Sequence, residues 1–69
     1  MAPADAVRTV LRAAGEPLHW TVIQDRALRA GYLDPFETPD VRAVMSRTLR
    51  ALARDGDIVR TDTGTYALP

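Results

Sequence analysis

The most informative segment of the chain reads TPDVRAVMSRTLRALARDG and covers residues 38–56. Thr38 is suited to cap a helix, Pro39 to occupy its first position, and Asp40 to lie near the positive end of the helix dipole. Gly56 is the residue at which such a helix should stop. The segment therefore predicts a helix that begins at Thr38 and ends just before Gly56, the longest element of the chain.

This helix is strongly amphipathic. At about 100° per residue, one side collects the residues expected in the core, which are Val41, Val44, Met45, Thr48, Leu49 and Leu52. The opposite side collects the residues expected in solvent, which are Arg42, Ser46, Arg47, Arg50 and Arg54. The outward side is therefore almost entirely made of arginine.

Positive charge is concentrated on this segment. The whole chain has nine Arg, no Lys and nine Asp or Glu, so its formal net charge is zero. Residues 38–54 hold four Arg and one acid, a net charge of +3, which leaves −3 for the rest. One explanation is an ordinary solvated face. Such a face usually interleaves acids, however, and none occurs between Asp40 and Asp55. We therefore favour the alternative, a contact between this side and an anionic partner.

A shorter helix is predicted near the start of the chain. Residues 5–14 place an apolar stripe at helical spacing, formed by Val7, Val10, Leu11 and Ala14. Gly15 supplies the stop signal and Pro17 prevents continuation. The next residues, 18–20, are expected to form at most a short extended piece.

A second helix is predicted from Thr21 onwards. The run Thr21–Gln24 matches the capping box, in which the side chains at both ends satisfy free backbone N–H groups. The inward side is expected to hold Ile23, Ala27, Ala30 and Leu28, and Gly31 should end the helix. Residues 32–37 show no clean period, and two aromatic side chains there suggest an ordered loop tucked against the core.

The C-terminal segment changes to a strand-like pattern. Ile58–Thr61 and Thr65–Leu68 are rich in β-branched or aromatic residues, and residues 62–64 offer a hairpin connection with Gly64 in a positive-φ position. Three helices followed by a C-terminal β-hairpin predict a mainly α (α+β) winged helix-turn-helix fold. We expect one domain over residues 1–69, with the alternative that it is the N-terminal domain of a longer protein.

Several classes of function are not expected. The chain has no Cys and one His, so thiolate and multi-histidine metal sites are excluded, and no cofactor is predicted. The four Gly are isolated, so no Gly-rich phosphate loop exists, and the single Ser has no His near it in sequence. His19 and Trp20 are expected to pack rather than to catalyse. No apolar run is long enough to span a bilayer, and the N-terminus lacks the features of a secretory signal. We expect a non-enzymatic cytoplasmic protein without a membrane partner, nucleoid-associated if bacterial.

Short motifs along the chain resemble the HARE-HTH family. They are Pro17–Thr21 before the second helix, Thr38-Pro39 at the third, Ile58–Arg60 in the first strand and Gly64–Leu68 in the second. The resemblance extends from about residue 4 to residue 68. That family is a winged-helix module of Asx-like chromatin proteins, chromatin remodellers, restriction endonucleases, DNA glycosylase-associated proteins and the delta subunit of bacterial RNA polymerase. The acidic loop 32–37 departs from the family, because basic residues often occur there.

The resemblance implies a DNA-binding or DNA-tethering accessory module with a role in regulating transcription. A helix of this kind fits the major groove of double-stranded DNA, and Arg can contact guanine or phosphate. The predicted DNA-binding residues are Arg42, Ser46, Arg47, Arg50 and Arg54 on the third helix and Arg60 on the hairpin. Asp62 at the hairpin tip would repel phosphate, so the hairpin is the weaker contact.

The alternative function is a protein-interaction module. The delta-subunit branch binds RNA polymerase, and the zero net charge also fits docking on RNA polymerase or another DNA-processing protein. An exposed apolar patch formed by Tyr32, Leu33 and Phe36 would favour this alternative. The oligomeric state is open at this stage.

Overall fold

Three helices are followed by a β-hairpin, in the order that the sequence predicts. A computed structural model describes all residues from 1 to 69. The elements are α1 (Pro3–Ala14), β1 (Leu18–His19), α2 (Trp20–Arg29), α3 (Val41–Arg54), β2 (Val59–Asp62) and β3 (Thr65–Ala67). The mainly α (α+β) winged helix-turn-helix prediction is confirmed. None of the helices combines the length and the apolar character needed to cross a membrane.

The hairpin belongs to a three-stranded antiparallel sheet with the strand order β1-β3-β2. Tyr66 of β3 pairs with Leu18 on one side and with Arg60 on the other. A register irregularity lies between Arg60 and Asp62. The short extended piece that the sequence predicts is therefore the third strand, and it attaches the hairpin to the connection between α1 and α2.

The core consists of twelve buried residues, all of them apolar. On α3, Met45, Leu49 and Leu52 are buried, which confirms the predicted inward side, while Val41, Val44 and Thr48 are half-buried. The other buried residues are Ala6, Val7, Val10 and Leu11 of α1, Ile23 and Ala27 of α2, and Leu18, Leu33 and Ile58. Since each fully buried large side chain contributes about 1.5–3 kcal/mol, these contacts position α3 firmly, with its arginines facing outwards.

Helix α2 begins one residue earlier than predicted, and the capping box is wrong. The cap is His19, whose Nδ1 accepts a hydrogen bond from the backbone N–H of Thr21 at 3.3 Å. The Oε1 atom of Gln24 is buried without a hydrogen-bond partner. The cause lies in the sheet, because His19 pairs with Thr65 and the N–H of Trp20 donates to the Gly64 carbonyl at 2.8 Å. These contacts fix the backbone before a cap at Thr21 can form.

Helix α3 begins at Val41, so the prediction of Thr38 as cap and Pro39 as first helical residue is wrong. The cap is Asp40, which has a positive φ of 55° and accepts a hydrogen bond from the N–H of Ala43 at 3.4 Å. Thr38 instead donates its N–H to the Asp34 carbonyl at 2.8 Å and so closes the preceding loop. The predicted end is confirmed.

The loop from 32 to 37 is only partly packed against the core. Leu33 is buried and Tyr32 is half-buried, as predicted, but the side chain of Phe36 is exposed, with a relative exposure of 93%. The N–H of Phe36 donates to the Asp34 carboxylate at 2.9 Å, which fixes a turn that points the ring into solvent. Ala30 is also exposed, contrary to its predicted place on the inward side of α2.

Candidate nucleic-acid interface

The outward side of α3 is an arginine-rich surface. The residues predicted for it, Arg42, Ser46, Arg47, Arg50 and Arg54, are all exposed. Their exposure follows from the burial of Met45, Leu49 and Leu52 on the opposite side of the same helix. The side chains are thus free to meet a partner along the whole length of α3.

A cleft of about 410 Å³ separates α3 from the hairpin, and we call it the α3–hairpin cleft. Its polar lining consists of Arg42, Ser46, Arg50 and Arg60. Its apolar lining includes Trp20, Met45, Leu49 and Tyr66. The structure therefore brings four of the six predicted site residues together, three from α3 and one from β2. Arg47 and Arg54 lie outside the cleft.

Trp20 supports the first arginine of the cleft. The Cζ atom of Arg42 lies 5.4 Å from the centre of the Trp20 ring, within the range of a cation–π contact. Trp20 is itself fixed at the hairpin turn, because its N–H donates to the Gly64 carbonyl. A Cβ atom at Gly64 would lie 2.9 Å from the His19 ring and 3.2 Å from the Trp20 ring. The position of Arg42 therefore depends on α2 and the hairpin as well as on α3.

Most of the predicted arginines have no acidic partner. Only Arg54 forms an ion pair, with Asp55 at 3.3 Å, and both side chains are more than half exposed. Such a surface pair contributes little, about 0–1 kcal/mol. The guanidinium group of Arg50 donates to Ser46 Oγ at 3.5 Å, a long contact. Arg42, Arg47, Arg50 and Arg60 thus keep their positive charge uncompensated by any carboxylate within ion-pair distance.

The acids nearest to this surface are used for local backbone contacts. Asp40 caps α3, and the Asp62 carboxylate accepts a hydrogen bond from the N–H of Thr63 at 2.7 Å. The other ion pair of the molecule, Arg29 with Asp25 at 2.9 Å, is on α2, and its hydrogen bond raises the pKa of Arg29. Neither Asp40 nor Asp62 neutralises an arginine of the cleft.

Two contributors to this surface were absent from the sequence-based prediction. Trp20 and Tyr66 were expected to serve the core alone, whereas both are half-buried and line the cleft. Their side-chain types gave no hint of this role. It arises from strand pairing between residues 48 positions apart, Leu18 and Tyr66.

The comparisons with known proteins agree with this architecture. The HARE-HTH family model, described as the HTH domain of ASXL and restriction endonuclease proteins, matches residues 1–69. No curated protein and no solved structure matches the chain significantly. The family match covers the three helices and the complete hairpin that build the arginine-rich surface. The chain therefore belongs to the HARE-HTH family of helix-turn-helix domains.

Proposed function

We propose that this protein binds double-stranded DNA through the outward side of α3, with the hairpin as a flanking contact. The observation that carries the proposal is the set of unpaired guanidinium groups on one surface, Arg42, Arg47, Arg50 and Arg60. The major groove admits an α-helix, and arginine offers paired N–H donors to phosphate and to guanine. Membership of a helix-turn-helix family associated with DNA binding supports the same conclusion.

Contacts to phosphate are expected to supply most of the affinity. Neutralising four to five phosphates gives a slope of about −4 for log K against log salt. With a formal net charge of zero there is no long-range attraction from the molecule as a whole, so affinity near the micromolar end of non-specific binding is expected. The role that fits is an accessory module which attaches a catalytic or regulatory partner to DNA, including during transcription, in the cytoplasm or nucleoid.

An amide-shift titration tests the location of the interface. We expect a duplex of about 12 base pairs, a little over one helical turn, to shift amide signals of residues 42–54 and 59–65. Amide signals from α1 should stay in place, because α1 packs against the other side of α3. Shifts confined to α1 and α2 would contradict the proposal, and so would the absence of shifts at low salt.

Substitution of the capping acid offers a gain-of-affinity prediction. Asp40→Asn is expected to keep the cap and the positive φ, because Asn serves both roles as well as Asp does. It removes one negative charge beside the arginines of α3. Duplex affinity should therefore rise a few-fold at low salt, and thermal stability should stay within about 0.5 kcal/mol of the wild type. Fluorescence anisotropy and thermal unfolding measure the two quantities, and weaker duplex binding would count against DNA contact at this end of α3.

A protein-docking function is the second candidate, and the exposed Phe36 favours it. Monomeric proteins seldom hold a large aromatic side chain this far into solvent on a fixed turn. The predicted patch is smaller than expected, since Leu33 is buried and only Phe36 is fully available. Asp34 and Glu37 beside it would repel DNA, so a partner with an apolar pocket and basic surroundings fits this loop.

The Phe36→Ala substitution separates the two functions. Because the ring is almost fully exposed, its removal should change the free energy of unfolding by less than about 0.5 kcal/mol and leave duplex binding unchanged. Binding to purified RNA polymerase, measured by biolayer interferometry, should weaken at least several-fold if the loop is the docking element. Equal binding by Phe36→Ala and the wild type, or none by either, would rule out docking on the polymerase through this loop.

A further inference from the structure

The α3–hairpin cleft has the composition of a binding site, with cations at its rim and an apolar floor. Three guanidinium groups line it, those of Arg42, Arg50 and Arg60, and no carboxylate pairs with any of them. We propose that the cleft binds one nucleotide unit, with the phosphate held by the arginines and the sugar lying on the floor. This inference deepens the proposed function and rests on it.

The charge of the cleft favours a phosphate ester over other ligands. Three like charges around one cavity repel each other, and an anion accepting hydrogen bonds from several of them relieves that repulsion. Ser46 adds a hydroxyl group between Arg42 and Arg50 along α3. This hydroxyl now accepts from Arg50 and can donate to a phosphate oxygen at the same time. A tetrahedral phosphate has enough oxygen atoms to engage several of these donors together.

The size and floor of the cleft require more than a bare phosphate. A volume of about 410 Å³ lies within the range of about 300–1,000 Å³ that is typical of small-molecule pockets. Met45, Leu49 and Tyr66 offer apolar surface to which inorganic phosphate has nothing to contribute. The carbon face of a deoxyribose covers such a floor while its phosphate stays at the rim.

Arg42 is positioned before any ligand arrives. Its guanidinium group rests against Trp20, and Trp20 is fixed by its hydrogen bond to Gly64. A restrained arginine loses less conformational entropy on binding than a free one. Arg60 comes from the opposite wall, on a strand paired with Tyr66. The site is thus assembled from α3 and the sheet together and is incomplete on either alone.

The nucleotide unit can come from the backbone of duplex DNA or from a free nucleotide, and the test distinguishes the two. Trp20, the only tryptophan, is a fluorescence reporter in the wall of the cleft. Thymidine 5′-monophosphate and inorganic phosphate are titrated at low salt into the wild type, Arg42→Ala, Arg60→Ala and the control Arg12→Ala on α1. The amide signals of Ser46 and Arg60 provide a second readout, because Arg42→Ala itself alters the surroundings of Trp20.

We expect saturable binding of the nucleotide that is several-fold tighter than that of inorganic phosphate. Each cleft substitution should weaken it about tenfold, the size of one charged hydrogen bond, and Arg12→Ala should have no effect. If Arg60→Ala also lowers duplex affinity and makes the salt slope about 1 less steep, the unit belongs to the DNA backbone. If duplex affinity is unchanged, the cleft serves a free nucleotide.

Two results would overturn the inference. One is the absence of saturable nucleotide binding, and the other is nucleotide binding that Arg42→Ala and Arg60→Ala leave intact. Either result can coexist with duplex binding that depends on Arg47 and on the exposed part of α3. In that case the cleft is not a nucleotide site while the proposed DNA-binding function stands, so the two failures are distinguishable.

Discussion

An Arg47→Ala, Arg50→Ala double variant is expected to bind duplex DNA about 10- to 100-fold more weakly than the wild type near 50 mM salt. Both side chains are exposed on α3, and neither is paired with an acid. Arg47 represents the part of the surface outside the α3–hairpin cleft, and Arg50 represents the cleft. The variant therefore samples both regions of the proposed interface.

The salt dependence gives this prediction a second measurement. Each lost phosphate contact lowers the slope of log K against log salt by about 0.9, so two lost contacts change it from about −4 to about −2. Fluorescence anisotropy at about 50 mM and 200 mM salt yields both the affinity and the slope. As a result, the difference between variant and wild type should narrow as salt increases.

A control with the same change in net charge makes the result specific. Arg12→Ala, Arg26→Ala removes two exposed arginines from α1 and α2, away from the proposed interface. It should reduce duplex affinity only slightly, through the general loss of positive charge. Equal losses in the two double variants would show a diffuse electrostatic effect, and unchanged binding by Arg47→Ala, Arg50→Ala would remove α3 from the interface.

Ile58→Ala is expected to destabilise the fold by about 2–4 kcal/mol. Ile58 is 1% exposed, and its N–H donates to the Leu52 carbonyl at 3.3 Å, so it joins the end of α3 to the first strand of the hairpin. A chain of 69 residues has a total stability of only about 3–10 kcal/mol. The substitution therefore removes a large share of that stability.

Urea denaturation followed by circular dichroism measures this effect. The midpoint should fall substantially while the m-value stays close to that of the wild type, as expected for loss of packing in a two-state domain. Val59→Ala is the matched control, because Val59 is the next residue and is 43% exposed. Similar losses in both variants would show that strand formation, rather than burial of Ile58, holds the hairpin in place.

The sequence was sufficient to predict the helices, the hairpin and the outward direction of the α3 arginines. These features depend on local periodicity, and the burial of Met45, Leu49 and Leu52 confirms it. The same reasoning placed Gly31 and Gly56 after helix ends, and both adopt a positive φ. Local pattern and tertiary packing agree at these positions.

The helix starts could not be predicted in the same way, because contacts between distant residues determine them. Pairing of His19 with Thr65 starts α2 at Trp20, and the turn around Asp34 delays the start of α3 to Val41. The α3–hairpin cleft has the same origin, since Trp20 and Arg60 meet α3 only in the folded chain. Exposure of Phe36 also depends on the Asp34 turn, whereas apolar character alone favours burial.

The hydrogen bond from Trp20 to Gly64 connects the tip of the hairpin to the start of α2. A wing attached at its tip cannot swing on its two strand ends, so it follows the helices as one rigid unit. Shape matching between the partners must then come from bending or groove widening in the nucleic acid. Target preference would accordingly reflect how easily a given stretch of duplex deforms, a property that varies with base sequence even where no base is touched.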